Sequence, residues 1–185
     1  EYLVDFCTDD ELLALVFSKS RLKSNALYYA AVYQKHTSLE VFFEKVRQLL
    51  IINESALTWL QESVLNQNIL KRAIQRKQTV LKRNILFASI FNDDDESIKF
   101  IFNFYQQEFN NEELAKILME KDEFGKNYWH AVVMLAKSKE ILEFIFDETQ
   151  KIISSSCPLK DFLLAKRVKN TRENALMMAI HSRRR

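Results

Sequence analysis

At 185 residues, with 48% apolar side chains and a formal net charge of +2, the chain can bury a sizeable core and lacks the charge excess of a polyelectrolyte binder. One Gly and one Pro exclude a turn-rich β-protein, and they exclude the Rossmann and P-loop folds, which need glycines for tight turns and close phosphate approach. Long stretches free of both breakers predict an all-α protein. Cys7 and Cys157 are far apart and form no CxxC, which fits a reducing intracellular compartment, cytoplasmic or nuclear. No apolar run reaches the length of a membrane span, and no signal peptide or initial Met is present. The chain stops in Arg183-Arg184-Arg185 just after a helical pattern starts, so a fragment of a longer protein is expected.

The first element is DDELLALVFSK (9–19), with Thr8 and Glu11 at capping-box spacing. Asn25 then opens a short apolar helix, ALYYAAVY. After Thr37-Ser38 comes a longer amphipathic helix, Leu39–Leu50, with Leu39, Phe42, Phe43, Val46, Leu49 and Leu50 on one face. A further helix is predicted at 53–67 (NESALTWLQESVLNQ), followed by NILKRAIQRK (68–77). Asn84 opens a second short apolar helix, ILFASIF. The run Asp93-Asp94-Asp95 is expected to cap the next helix, about Glu96–Phe109, where acidic residues suit the positive end of the helix dipole. Asn110 and Glu113 form a second capping box before NEELAKILMEK (111–121). The only Gly, Gly125, lies in the polar turn DEFGKN, and Asn127 opens YWHAVVML. Ser138 is the expected cap of Lys139–Ile153. LKDFLLAK (159–166) follows, and Asn174 opens ALMMAI.

These elements recur. The Asn positions are spaced by 59, 43 and 47 residues, and removal of the 15-residue segment 53–67 brings the first spacing to 44. Three kinds of helix alternate: a short one opened by Asn, a longer amphipathic one, and a third that ends in Lys19, Lys77, Lys121 or Lys166. The expected organisation is a single array: a partial unit 1–24, a unit 25–83 with the inserted helix 53–67, units 84–126 and 127–173, and a partial unit 174–185. Small residues on the short helices, among them Ala30, Ala31, Ala88, Ser89, Ala131 and Ala179, allow close helix approach.

The stretch Gly125–Val132 resembles the opening of the ankyrin repeat, Gly-x-Thr-Pro-Leu-His-x-Ala. Gly125, Asn127, Trp129 and His130 take the Gly, Thr, Leu and His places, while Tyr128 replaces Pro and Val132 replaces Ala. The other openings keep Asn25 and Leu27, Asn84 and Leu86, and Asn174 and Leu176. Glu140–Ile145 is similar to that family's outer helix. The units depart from the family in length (the usual unit is about 33 residues), in carrying an additional helix, and in having Gly in one hairpin only. The resemblance implies an α-solenoid of stacked ankyrin-like units that serves as a protein–protein interaction scaffold or adaptor inside a larger protein. The alternative fold is a HEAT- or armadillo-like solenoid, whose units run about 40–47 residues.

Candidate chemistry is sparse. His130 is matched by Tyr28, Phe87 and Met177 in the other openings, so it reads as a packing or hydrogen-bonding position rather than a general base. His36 and His181 have no ligands at metal spacing, Asp93–Glu96 lacks a calcium-loop pattern, and no cofactor or metal is expected. The Phe residues of 100–109 recur at helical spacing and read as core. Phe17, Trp59 and Phe124 are partner anchors if exposed. The segment 71–83 is the candidate binding face: Lys71, Arg72, Arg76, Lys77, Lys82 and Arg83 occur with no acidic residue among them. In ankyrin arrays the turn that this segment enters projects toward the concave binding side. It suits an acidic protein segment or, as a second class of function, nucleic-acid phosphate. Self-association through an exposed end of the stack is a third expectation.

Overall fold

The computed structural model describes residues 8–18, 20, 24–52, 71, 74–75, 77, 81–153 and 174–182. Among these residues every regular element is a helix. In chain order they are α1 (Asp9–Phe17), α2 (Ala26–Tyr33), α3 (His36–Ile52), α4 (Ile85–Ser89), α5 (Asp95–Glu108), α6 (Asn111–Met119), α7 (Tyr128–Leu135), α8 (Lys139–Ile153) and α9 (Ala175–Ser182). The inserted helix expected at 53–67, the segment 159–166 and most of 68–77 lie outside the described residues, as do both cysteines.

The short helices α2, α4, α7 and α9 begin in the same way. Asn25, Asn84, Asn127 and Asn174 accept from the backbone N–H three residues on, at 3.0, 2.8, 3.2 and 2.9 Å. A helix leaves its first N–H groups without intrahelical partners, and all four Asn are buried, so water is a poor substitute for these bonds. The helix α4 is only one turn longer than its cap. It closes through N–H bonds from Phe91 to Ala88 and from Asn92 to Ser89, with the Ser89 hydroxyl on the Leu86 carbonyl.

The long helices are amphipathic and bury one stripe each. The stripes are Leu39, Phe43, Val46 and Leu49 on α3, Ile98, Ile101, Phe102 and Tyr105 on α5, and Ile141, Ile145, Thr149 and Ile152 on α8. The first of these helices starts at His36, three residues earlier than expected, because a neighbouring chain segment supplies its cap (below).

Packing arranges the helices in rows. The short helices touch in succession, α2 on α4, α4 on α7 and α7 on α9. The long helices do the same, α3 on α5 and α5 on α8. The third kind sits against both rows: α1 packs on α2 and α3, and α6 packs on α7 and α8 as well as on α5. Thr8–Glu11 and Asn110–Glu113 form complete capping boxes at the starts of α1 and α6. Edge-on rings join the long helices, with Phe43 5.8 Å from Phe100 and 5.0 Å from Phe104. The fully buried Tyr105 donates its hydroxyl to the Ile74 carbonyl at 2.5 Å and accepts from the Leu86 N–H at 3.3 Å. Burial pushes this phenol well above its ordinary pKa, so it stays protonated as that donor. The Phe residues of 100–109 therefore serve the core, with Phe102, Phe104 and Phe109 buried and Phe100 packed against it.

Candidate binding surface

The basic segment leads into α4, and α6 with its following turn lies beside it. Lys71 meets Glu113 at 2.9 Å, Lys77 meets Glu120 at 3.0 Å, Lys82 meets Glu123 at 3.4 Å and Arg83 meets Asp122 at 3.0 Å. Every described cation of 71–83 thus faces a carboxylate of 113–123. The sequence shows no acid within the segment because its acids stand about forty residues further on. Arg72 and Arg76 lie outside the described residues. The Lys71 ammonium holds the Glu113 carboxyl below the usual range, and the capping bond from the Asn110 N–H acts in the same direction.

The innermost pair, Arg83 with Asp122, is the structural centre of the hairpin. The Asp122 side chain has no exposed surface and that of Arg83 is 12% exposed. One Asp122 oxygen accepts from Arg83 Nε and Nη2, and the other from the backbone N–H of Phe124 and Lys126, both at 2.9 Å. Those two bonds shape the turn, in which Gly125 takes φ 77°, a left-handed value that a side chain disfavours. The neighbouring loop holds Lys82 at φ 54°, a conformation that is costly outside Gly and Asn. A bond from the Glu123 N–H to the Leu81 carbonyl at 2.9 Å fixes the two loops to each other. Asn84 adds a bond from its amide nitrogen to Glu120 at 3.0 Å. Asp122 was not singled out from sequence. Its signal was the Asp-x-x-Gly spacing of the turn, where an Asx side chain can bond forward to the backbone.

Past Asp122, the Arg83 guanidinium lies over two rings, 5.1 Å from the centre of Phe87 and 4.6 Å from that of Phe91. The next hairpin repeats this placement. Lys126, which precedes its cap Asn127 as Arg83 precedes Asn84, sets its Nζ 3.2 Å from the sulfur of Met134. Phe91 and Met134 both stand seven residues after their cap Asn. In each case the residue before the cap covers an exposed apolar side chain near the end of the following short helix, Phe91 in the turn after α4 and Met134 in the last turn of α7. On α2 the exposed side chains are Tyr29 and Tyr33, stacked with ring centres 6.4 Å apart, and Tyr33 is 73% exposed. The short-helix row therefore presents Tyr29, Tyr33, Phe91 and Met134 to solvent, with ion-paired hairpins at its edge. Sequence periodicity could not find these four, since Tyr29, Tyr33 and Met134 belong to helices that are apolar nearly all round and Phe91 lies in the turn after α4.

His130 is buried, and its Nδ1 accepts from the Asn127 N–H at 3.2 Å while Asn127 caps the His130 N–H. It completes a capping box at the place where Glu stands in α1 and α6. Trp129, Leu27 and Leu86 are buried in the core, and Leu176 lies in α9. Phe17 and Phe124 are exposed, at 39% and 41%, while Trp59 lies outside the described residues.

The acidic run stands at the start of α5 as expected, with Asp95 and Glu96 in its first turn, and it also reaches other helices. Asp94 stands at the N-cap of α5 but gives that helix no side-chain capping bond to the backbone. Its carboxylate accepts from the His36 N–H, capping α3, and from the Ser97 hydroxyl in the first turn of α5. The Ser97 bond holds its carboxyl below the usual range, against burial and with help from the His36 N–H. Asp93 pairs with Lys137 and Asp95 accepts from Ser138, both just ahead of α8. Ser138 does cap its own helix, accepting from the Ile141 N–H at 3.1 Å. Buried Asn92 donates to the carbonyls of Ala31 and Gln34 at the end of α2. The run thus joins neighbouring helices, because the turn is wedged between the ends of α2 and α3 on one side and the start of α8 on the other.

Among the described residues no group of three or more His, Cys, Asp or Glu side chains could hold a metal ion, and no helix is long and apolar enough to cross a membrane. Comparison of the chain with protein-family models, with curated proteins and with solved structures returned no match.

Proposed function

We propose that the chain is a non-enzymatic protein-interaction module, an α-solenoid of ankyrin-like units each carrying an additional helix, acting as a scaffold or adaptor inside the cell. The observation that carries the reading is the exposed set Tyr29, Tyr33, Phe91 and Met134, on the short helices α2 and α7 and in the turn that ends α4. Aromatic and Met side chains are enriched where proteins bind one another, and a row of stacked helices offers them as one extended surface. The short Asn-opened helices and the Gly125 turn favour ankyrin-like units over HEAT- or armadillo-like ones. A photo-crosslinking residue placed at Tyr33 or Phe91 should give protein adducts of discrete mass, and the same residue at the exposed Lys116 on α6 should not. Equal adducts from both sites, or none from Tyr33 and Phe91, would overturn the reading.

A second reading, self-association, rests on α9, where Met177 and Ile180 are 48% and 52% exposed. Light scattering across a concentration series tests it, with a constant monomer mass as the failing result. Phosphate binding draws no support from the described cations of 71–83, each of which is already paired with a carboxylate.

A further inference from the structure

A groove of about 520 Å³ runs between α7 and α8, lined by Trp129, Leu142, Glu143, Phe146 and Asp147. Its floor is apolar. The Trp129 and Phe146 rings meet edge to face with centres 6.0 Å apart, and Phe146 is 38% exposed despite its size. Its rim is acidic. Glu143 and Asp147 stand four residues apart on α8, hence on one face, and among the described residues no cation lines the groove. Glu143 pairs with Lys139 at 2.8 Å, but both side chains are largely exposed, so that bridge is easily exchanged.

We propose that this groove docks a cationic amphipathic segment of a partner protein, with an apolar side chain on Trp129 and Phe146 and an Arg or Lys on Glu143 and Asp147. Charge complementarity decides the occupant. An anionic segment would set like charges together, and a wholly apolar one would strip water from two carboxylates and give nothing back. Two carboxylates one helical turn apart match cations presented at the same interval by a partner helix, and the ring pair supplies the buried anchor between them. This surface is separate from the row of Tyr29, Tyr33, Phe91 and Met134, and either can fail without the other.

The groove contains its own reporter. The chain has two Trp, so Trp59→Phe leaves Trp129 as the sole indole. The probes are three short synthetic helical peptides: one with Leu and Phe on a face flanked by Arg, one with the same face flanked by Glu, and one with Arg kept but Leu and Phe changed to Ser. The first should shift Trp129 emission saturably, and the other two should not. The pair Glu143→Gln and Asp147→Asn should weaken binding about tenfold or more, equivalent to at least about 1.4 kcal/mol, with circular dichroism unchanged. Glu112→Gln, an exposed carboxylate on α6, should leave binding as it was, and so should Tyr33→Arg. Equal binding of the Arg and Glu peptides, full binding of the Ser peptide, indifference to Glu143→Gln with Asp147→Asn, or no shift with any peptide would overturn the proposal.

Discussion

The two ends of the short helix α2 are closed in opposite ways. At the N-terminal end each short helix uses its own Asn, three residues from the N–H that it caps. At the C-terminal end of α2 the closing groups come from elsewhere: Asn92, nearly sixty residues on, covers the carbonyls of Ala31 and Gln34. The adjacent start of α3 is capped by Asp94 rather than by a residue of its own turn. One end is therefore stabilised locally, and the other only once the turn around residues 92–94 is in place.

The largest effect should come from the hairpin that joins both kinds of contact. Asp122→Ala strands the partly buried Arg83 and removes two turn bonds, and should cost about 3–5 kcal/mol in urea unfolding. Asn92→Ala should cost about 1–3 kcal/mol, the range for leaving buried groups unpaired. Hydrogen exchange should then quicken at the end of α2 as well as in the turn around residue 92. Asn84→Ala should cost about 0.5–2 kcal/mol, as for a lost N-cap, with the fastest exchange at the start of α4 and a smaller change at the end of α6, where the bond to Glu120 is lost. Equal spreading in these two variants would erase the distinction between local and borrowed closure.

The acid limb offers a smaller test. The folded-state pKa of Asp94 is lowered, so its contribution is fully present above the ordinary Asp value of about 3.9 and is lost as pH falls through the folded value. Asp94→Asn should therefore flatten the loss of stability below about pH 4, measured by urea midpoints across pH. Smallest of all, Lys116→Ala breaks only the exposed pair with Glu112 and should change stability by less than about 0.5 kcal/mol.

The same contrast explains what could be read from the sequence. Asn caps, capping boxes and the stripes of α3, α5 and α8 act over three to seven residues, so their causes lie beside their effects. Lys139–Ile153 is found with the expected bounds, and Thr8 and Asn110 form the expected boxes. The candidate site was legible only as a cluster of cations. Its pairing with Glu113, Glu120, Asp122 and Glu123 depends on α6 lying beside the segment, which no local pattern encodes. The run Asp93–Asp95 was legible as the start of α5, with Asp94 at its N-cap, but its bonds to His36, Lys137 and Ser138 depend on helices that no local pattern places there. Exposed Tyr33 and buried Tyr28 likewise look alike in a helix that is apolar on most sides.

Asn92 and Asp94 also bear on how the molecule comes apart. If the part preceding α4 detached, the end of α2 would lose its cover and the start of α3 its cap, while Asn92 and Asp94 would lose the groups they serve. Each side would be left worse than before the separation, which penalises any boundary between a folded and an unfolded stretch at that point. Residues 26–52 and 85–108 should consequently melt in one transition, and a load applied along the chain should release them together.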